Sequence, residues 1–127
     1  MARKMFPSVP SPDATAFWAG AEAGKLMVPK CKSCGKSHWY PRPLCPHCFS
    51  DQVELVESNG TGVIYSFSHM PRAPEPYTVA YVTVSEGVSL LTNIIDCDPA
   101  TLKIGQKVKL AWNKVEGGPQ VWCFTPA

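Results

Sequence analysis

Four of the six cysteines stand in two C-x2-C pairs, Cys31-Lys32-Ser33-Cys34 and Cys45-Pro46-His47-Cys48, with ten residues between them. Thiolates spaced in this way on a tight turn can meet one metal ion, and two such turns complete a tetrahedron of sulfurs. Zinc suits that shell because it is redox-inert and has no geometric preference to violate. A shell filled by four protein ligands has no position left for water or substrate, so the expected role is that of one structural ion. Iron also accepts four thiolates and stays open as an alternative. A redox dithiol would need a thioredoxin-like βαβ setting, which the flanking sequence does not offer. His38 and His47 lie in the same segment, but four thiolates suffice, so both are expected to face solvent. Gly35, directly after the first pair, suits the left-handed backbone often needed where a chain leaves such a turn.

The remaining candidates for chemistry are the thiols Cys97 and Cys123, with His69. Cys97 stands between Asp96 and Asp98, whose charges disfavour a thiolate. Cys123 alternates with Trp122 and Phe124, on the face of Val121, and reads as a buried packing thiol. No paired acids, Ser/His/Asp set, phosphate loop or open metal site is visible, which points to binding with no catalytic residue in this chain.

The elements that must position these residues have to fit into 127 residues, enough for one main core and a small satellite. A hydrophobic fraction of 45% with 17% charged residues is that of a water-soluble globular domain. No apolar run approaches the ~20 residues needed to cross a bilayer, so no membrane is expected. Pro7, Pro10 and Pro12 interrupt the start of the chain at once, so no signal peptide is expected either. That reading implies a reducing cytoplasm, where six cysteines serve as ligands and buried thiols rather than disulfides. Residues 1–50 hold seven Lys/Arg against Asp13 and Glu22, while the remainder holds five against eight acids. A zinc tetrathiolate is itself anionic, so part of the N-terminal positive charge is expected to offset the metal centre.

Three stretches follow. Residues 1–24 read as a proline-rich arm and a helix with Ser11 as N-cap and Pro12 at its first position. Ala14, Phe17, Trp18 and Ala21 form its apolar face and Gly24 its stop. That face could pack on the chain's own core or on a partner. Residues 25–52 are the zinc ribbon. Residues 53–127 read as strands: Val53–Glu57 and Gly62–Phe67 around Asn59-Gly60, a hairpin signal; Tyr77–Val84 and Val88–Ile95 around Ser85-Glu86-Gly87; Lys107–Asn113 and Gln120–Thr125 around Glu116-Gly117-Gly118. Five to six strands at this spacing suggest a small closed barrel of the OB type. Tyr65, Phe67, Tyr77 and Tyr81 alternate as core residues would. His69 to Pro76 holds three prolines and is expected as an irregular loop at the barrel mouth.

The order of Phe17-Trp18, a strand over Lys25–Val28, C-x2-C, Trp39-Tyr40-Pro41-Arg42-Pro43, C-x2-C and Gly62-Val63-Ile64-Tyr65-Ser66-Phe67 resembles the zinc-ribbon/OB-fold acyl-CoA-associated proteins. Asn93 to Asp98, Leu102 to Gly105 and Val108 are similar to the same family's later pattern. The resemblance implies a mainly β architecture: an N-terminal helix, a rubredoxin-like zinc ribbon and a C-terminal OB-fold barrel. It further implies a non-catalytic subunit in a hetero-oligomer with a thiolase-superfamily catalytic subunit, either a thiolase or a lipid-transfer-type retro-aldolase, with acyl-CoA as the substrate of the complex. In that setting the ribbon and helix would dock on the partner, and Arg72 in the proline loop could meet CoA phosphates. The rival class is a single-stranded nucleic-acid-binding module, since ribbons and OB-folds both serve that purpose. The acidic balance of the barrel half and the core-like alternation of its aromatics argue against nucleic acid.

Overall fold

The computed structural model describes residues 3–127. After the arm comes a 3-10 turn at Pro12–Ala14 and helix α1, Thr15–Glu22. Ser11 caps through its backbone: its carbonyl accepts from the Ala14 N–H at 3.0 Å, and its side chain makes no capping bond. The other end closes as a Schellman turn, with Lys25 N–H donating to the Gly20 carbonyl and Gly24 N–H to that of Ala21. Ala14, Phe17, Trp18 and Ala21 are all buried within the chain's own core, so the expected face packs inward rather than on a partner.

Seven strands follow: β1 Met27–Cys31, β2 Val53–Glu57, β3 Thr61–Met70, β4 Tyr77–Val84, β5 Ser89–Ile94, β6 Lys107–Asn113 and β7 Val121–Pro126. β1 and β2 form a separate antiparallel pair, and the other five close a barrel in the order β3-β4-β5-β7-β6. All the barrel's pairings are antiparallel except β5 with β7, which is the OB arrangement. β3 serves both neighbours, pairing with β6 over Thr61–Val63 and with β4 along its length. To do so it must bend, and its register shifts at a bulge between Ile64 and Ser66. Gly62 lies where β3 crowds β4: a Cβ there would stand 2.7 Å from Val82 Cγ1 and 2.8 Å from the Thr83 carbonyl oxygen.

Three expectations are corrected here. Asn59-Gly60 does not turn a hairpin, because both edges of β3 are taken by β4 and β6 while β1 has an edge free for β2. The pair is instead the corner between ribbon sheet and barrel. Asn59 Oδ1 accepts from the Thr61 N–H at 3.0 Å, and Glu86 in the β4–β5 turn receives the Ser58 hydroxyl at 2.6 Å and the Asn59 N–H at 3.2 Å. His69 and Met70 extend β3, opposite Thr78 and Tyr77, so the irregular loop is only 71–76. Finally, Tyr65 and Tyr81 point outward, 67% and 47% exposed, while Phe67 packs against the core. For Tyr65 the bulge is the reason, since it puts residues 65 and 67 on opposite sides although they are two apart, while Tyr81 faces out by plain alternation between the buried Ala80 and Val82.

The core runs without a break from α1 and β1 into the barrel, through Phe17, Leu26, Val28, Ile64, Val82, Leu90 and Phe124. Phe17 meets Trp18, Trp39, Tyr40 and Trp122 at ring-centroid distances of 5.2 to 5.4 Å, all edge-on. Two polar tips are satisfied, Trp18 Nε1 donating to Tyr40 Oη at 2.8 Å and Trp122 Nε1 to the Leu91 carbonyl at 2.9 Å. The arm docks on the barrel. Arg3 lies 3.7 Å over the Tyr77 ring, and its carbonyl accepts from Asn113 Nδ2 at 3.2 Å. Among the described residues no helix is long and apolar enough to cross a membrane.

Candidate metal centre

Each cysteine pair is built by the same backbone turn. In the first, Cys31 ends β1, its N–H donates to the Lys36 carbonyl at 2.9 Å, and the Gly35 N–H returns to the Cys31 carbonyl at 2.9 Å. In the second, the Cys45 N–H donates to Ser50 at 2.9 Å and the Phe49 N–H to the Cys45 carbonyl at 2.8 Å. Backbone donors also reach the sulfurs, Cys34 N–H to Cys31 Sγ and His47 N–H to Cys45 Sγ, both 3.4 Å. In both turns the first cysteine is buried and the second exposed.

The four sulfurs lie within 4.8 Å of one another, with Cys31 to Cys48 at 3.6 Å and Cys34 to Cys45 at 3.7 Å. A Zn–S bond of about 2.3 Å in a tetrahedron requires sulfurs about 3.8 Å apart, so these residues fit the ion. The Cys34 N–H is the chief cause that brings the Cys31 thiol down to about 7. The Ser50 N–H also favours the Cys48 thiolate, but burial and the three neighbouring sulfurs outweigh it and hold that thiol up at about 11. Four thiolates cannot gather here without a cation among them. When bound, zinc supplies cross-links between two loops otherwise poor in apolar residues, and the four sulfurs fill its shell.

The other sequence candidates are dispersed. His47 is exposed as expected, whereas His38 is buried, and neither of its ring nitrogens has a hydrogen-bond partner among the described residues. It lies in a cleft of about 340 Å³ that Gly87 and Val88 of the β4–β5 turn also line. Burial is the main cause lowering its pKa, followed by the charges of Arg42 and His47. Burial likewise pushes the Cys123 thiol up to about 11. Cys97 is raised by burial and then by the Asp98 and Asp96 carboxylates. His69 shares a cleft of about 260 Å³ with Cys97, but its Nδ1 is engaged with Thr78 Oγ1 at 2.9 Å. Neither thiol is therefore activated as a nucleophile. Arg72 is exposed in the 71–76 loop. Sequence reasoning missed the N–H···S bonds and the burial of His38; the first had a signal in the C-x2-C turns themselves, the second had none nearby.

A five-stranded OB barrel carrying a tetrathiolate ribbon defines a zinc-ribbon/OB-fold protein. Residues 18–54 match the ChsH2 rubredoxin-like zinc ribbon domain and residues 55–113 the ChsH2 C-terminal OB-fold domain. The chain belongs to this ChsH2, or DUF35, family. It is similar to a solved Ltp2-ChsH2(DUF35) aldolase chain, with a TM-score of 0.83 and 31% identity over 94% of this chain and 98% of that one. A probable enoyl-CoA hydratase alpha subunit of Thermomonospora curvata is 36% identical over 88% of this chain. The present chain spans only 37% of that relative's length. A benzoylsuccinyl-CoA thiolase subunit, BbsA, of Thauera aromatica is 25% identical, the alignment covering 78% of this chain and 71% of that subunit.

Proposed function

We propose that this chain is a non-catalytic, zinc-organised subunit that assembles with a thiolase-superfamily catalytic chain, a thiolase or a lipid-transfer-type aldolase, and helps it bind acyl-CoA in the cytoplasm. The observation that carries this reading is the likeness to the Ltp2-ChsH2(DUF35) aldolase chain over nearly the whole length of both. The closed sulfur shell and the raised pKa of both remaining thiols support it, since among the described residues they leave neither an activated thiol nor an open position on the tetrathiolate site. Co-expression with a thiolase-like chain from the same organism tests the assignment. The expected result is a stoichiometric complex by light scattering, and no acyl-CoA turnover by this subunit alone. Turnover by the isolated subunit, or salt-dependent retention of a single-stranded oligonucleotide without any complex, would overturn it.

In that complex Arg72 is assigned to the CoA phosphates. Support comes from its exposure on the 71–76 loop, beside a cleft of about 590 Å³ that Ala73, Pro74 and Glu75 line together with Arg3 and Lys4. Reversing the charge with Arg72→Glu is expected to weaken CoA-substrate affinity of the complex about tenfold or more, in line with a lost charge-assisted hydrogen bond. An unchanged affinity removes the assignment.

A further inference from the structure

The two metal turns share the same pair of backbone–backbone hydrogen bonds but place different residues at the left-handed position. After Cys34 the chain turns through Gly35 at φ 77, and after Cys48 through Phe49 at φ 63. Both residues donate their N–H to the carbonyl of the first cysteine of their pair. The left-handed backbone costs a residue with a Cβ and costs glycine nothing, and the first turn shows which residue the fold alone favours. Nor does the Phe49 side chain recover that cost by packing, because it is 76% exposed. Leu44, immediately before the same turn, is 49% exposed. Large apolar groups on both sides of a metal-stiffened turn, one of them on strained backbone, have no task inside this chain.

Charge says what they face. Residues 25–52 hold five Lys/Arg and a single acid, Asp51, and Lys32, Lys36 and Arg42 are all exposed. The partner strand of β1 adds Glu54 and Glu57, so the ribbon as a whole is near neutral once a zinc tetrathiolate is counted, but the exposed charged side chains on the two metal loops themselves are basic at three positions and acidic only at Asp51. We infer that the second metal turn is a docking anchor, with Phe49 and Leu44 inserting into an apolar socket with an acidic rim on the catalytic subunit. This rests on the subunit reading above and specifies which surface makes the contact. A rigid aromatic held by a metal turn loses little conformational freedom on binding, as an interface anchor should.

Phe49→Gly separates the two roles. In the isolated subunit it is expected to retain one equivalent of zinc and melt at or above the wild-type temperature; loss of zinc or a lower melting temperature makes Phe49 structural and overturns the inference. In the complex with the co-expressed thiolase-like chain, its dissociation constant is expected to rise about 30-fold or more, as for a central aromatic anchor. Tyr65→Ser, on the outward barrel face, should leave affinity within about twofold. Unchanged binding by Phe49→Gly, or weakening confined to Tyr65→Ser, overturns the inference while the subunit reading stands. If wild type forms no complex at all, that reading fails and the anchor with it.

Discussion

Single residues in this chain divide into those whose role is local and those whose role is set at a distance. The four metal cysteines belong to the first group: ligand type and two-residue spacing are properties of short segments, and Cys31, Cys34, Cys45 and Cys48 converge as the spacing predicts. His38 belongs to the second, since the β4–β5 turn that shares its cleft lies some fifty residues further on in the sequence. Its burial carries a testable consequence. A histidine whose folded pKa lies below the unfolded value of about 6.5 takes up its proton more readily when the chain unfolds. The neutral, folded form is therefore at no disadvantage above about pH 6.5, and stability falls as the pH drops below it. Arg42 and His47, the charges that face it, act in the same direction. Replacing His38 by leucine removes two unpaired buried nitrogens as well as the titration, so urea unfolding is expected to show about 1 kcal/mol more stability at pH 7. The gain should widen at pH 5.5. Zinc content, followed in the same samples, separates this effect from acid release of the ion. Parallel pH profiles for the two proteins would show that His38 has a partner in the folded state.

At the scale of elements, α1 has the largest leverage for its length. Its eight residues present Phe17, which is fully buried and meets four aromatic rings drawn from the helix, the ribbon segment and β7. Phe17→Ala is expected to cost about 3–5 kcal/mol in urea unfolding, a large share of a small domain's stability. A loss below about 1 kcal/mol would mean that the ring cluster rearranges to fill the space. The helix and its buried face were legible because the 3.6-residue period is written in consecutive residues. What that face covers was not, and neither was the partner of β2. Asn59-Gly60 carries hairpin chemistry, yet pairing is decided by which strand edges are free, a property of the whole sheet rather than of the turn. In the same way, the alternation along β3 could be read, but not the bulge that turns Tyr65 outward and Phe67 inward.

Taken as a whole, the molecule does not behave as a barrel with a ribbon attached. Ala14, Phe17, Leu26 and Val28 lie in the same buried cluster as Val82, Leu90 and Phe124, so ribbon and barrel lack separate cores. The linker strengthens the union, as Glu86 of the β4–β5 turn holds Ser58 and Asn59 at the corner between the two sheets. Metal binding to such a structure must stabilise all of it. A structural zinc site is worth about 10–16 kcal/mol in small ribbons, comparable to the entire stability of a domain this size. Removing the ion should therefore leave the ribbon unable to hold Trp39 and Tyr40 against Phe17, and the barrel would lose that cover with it. Calorimetry of the zinc-loaded protein is expected to show one transition. With excess chelator the same single transition should move down by more than about 10 °C. If the ribbon were instead an independent appendage, chelation would abolish a small early transition and leave the barrel melting at its original temperature.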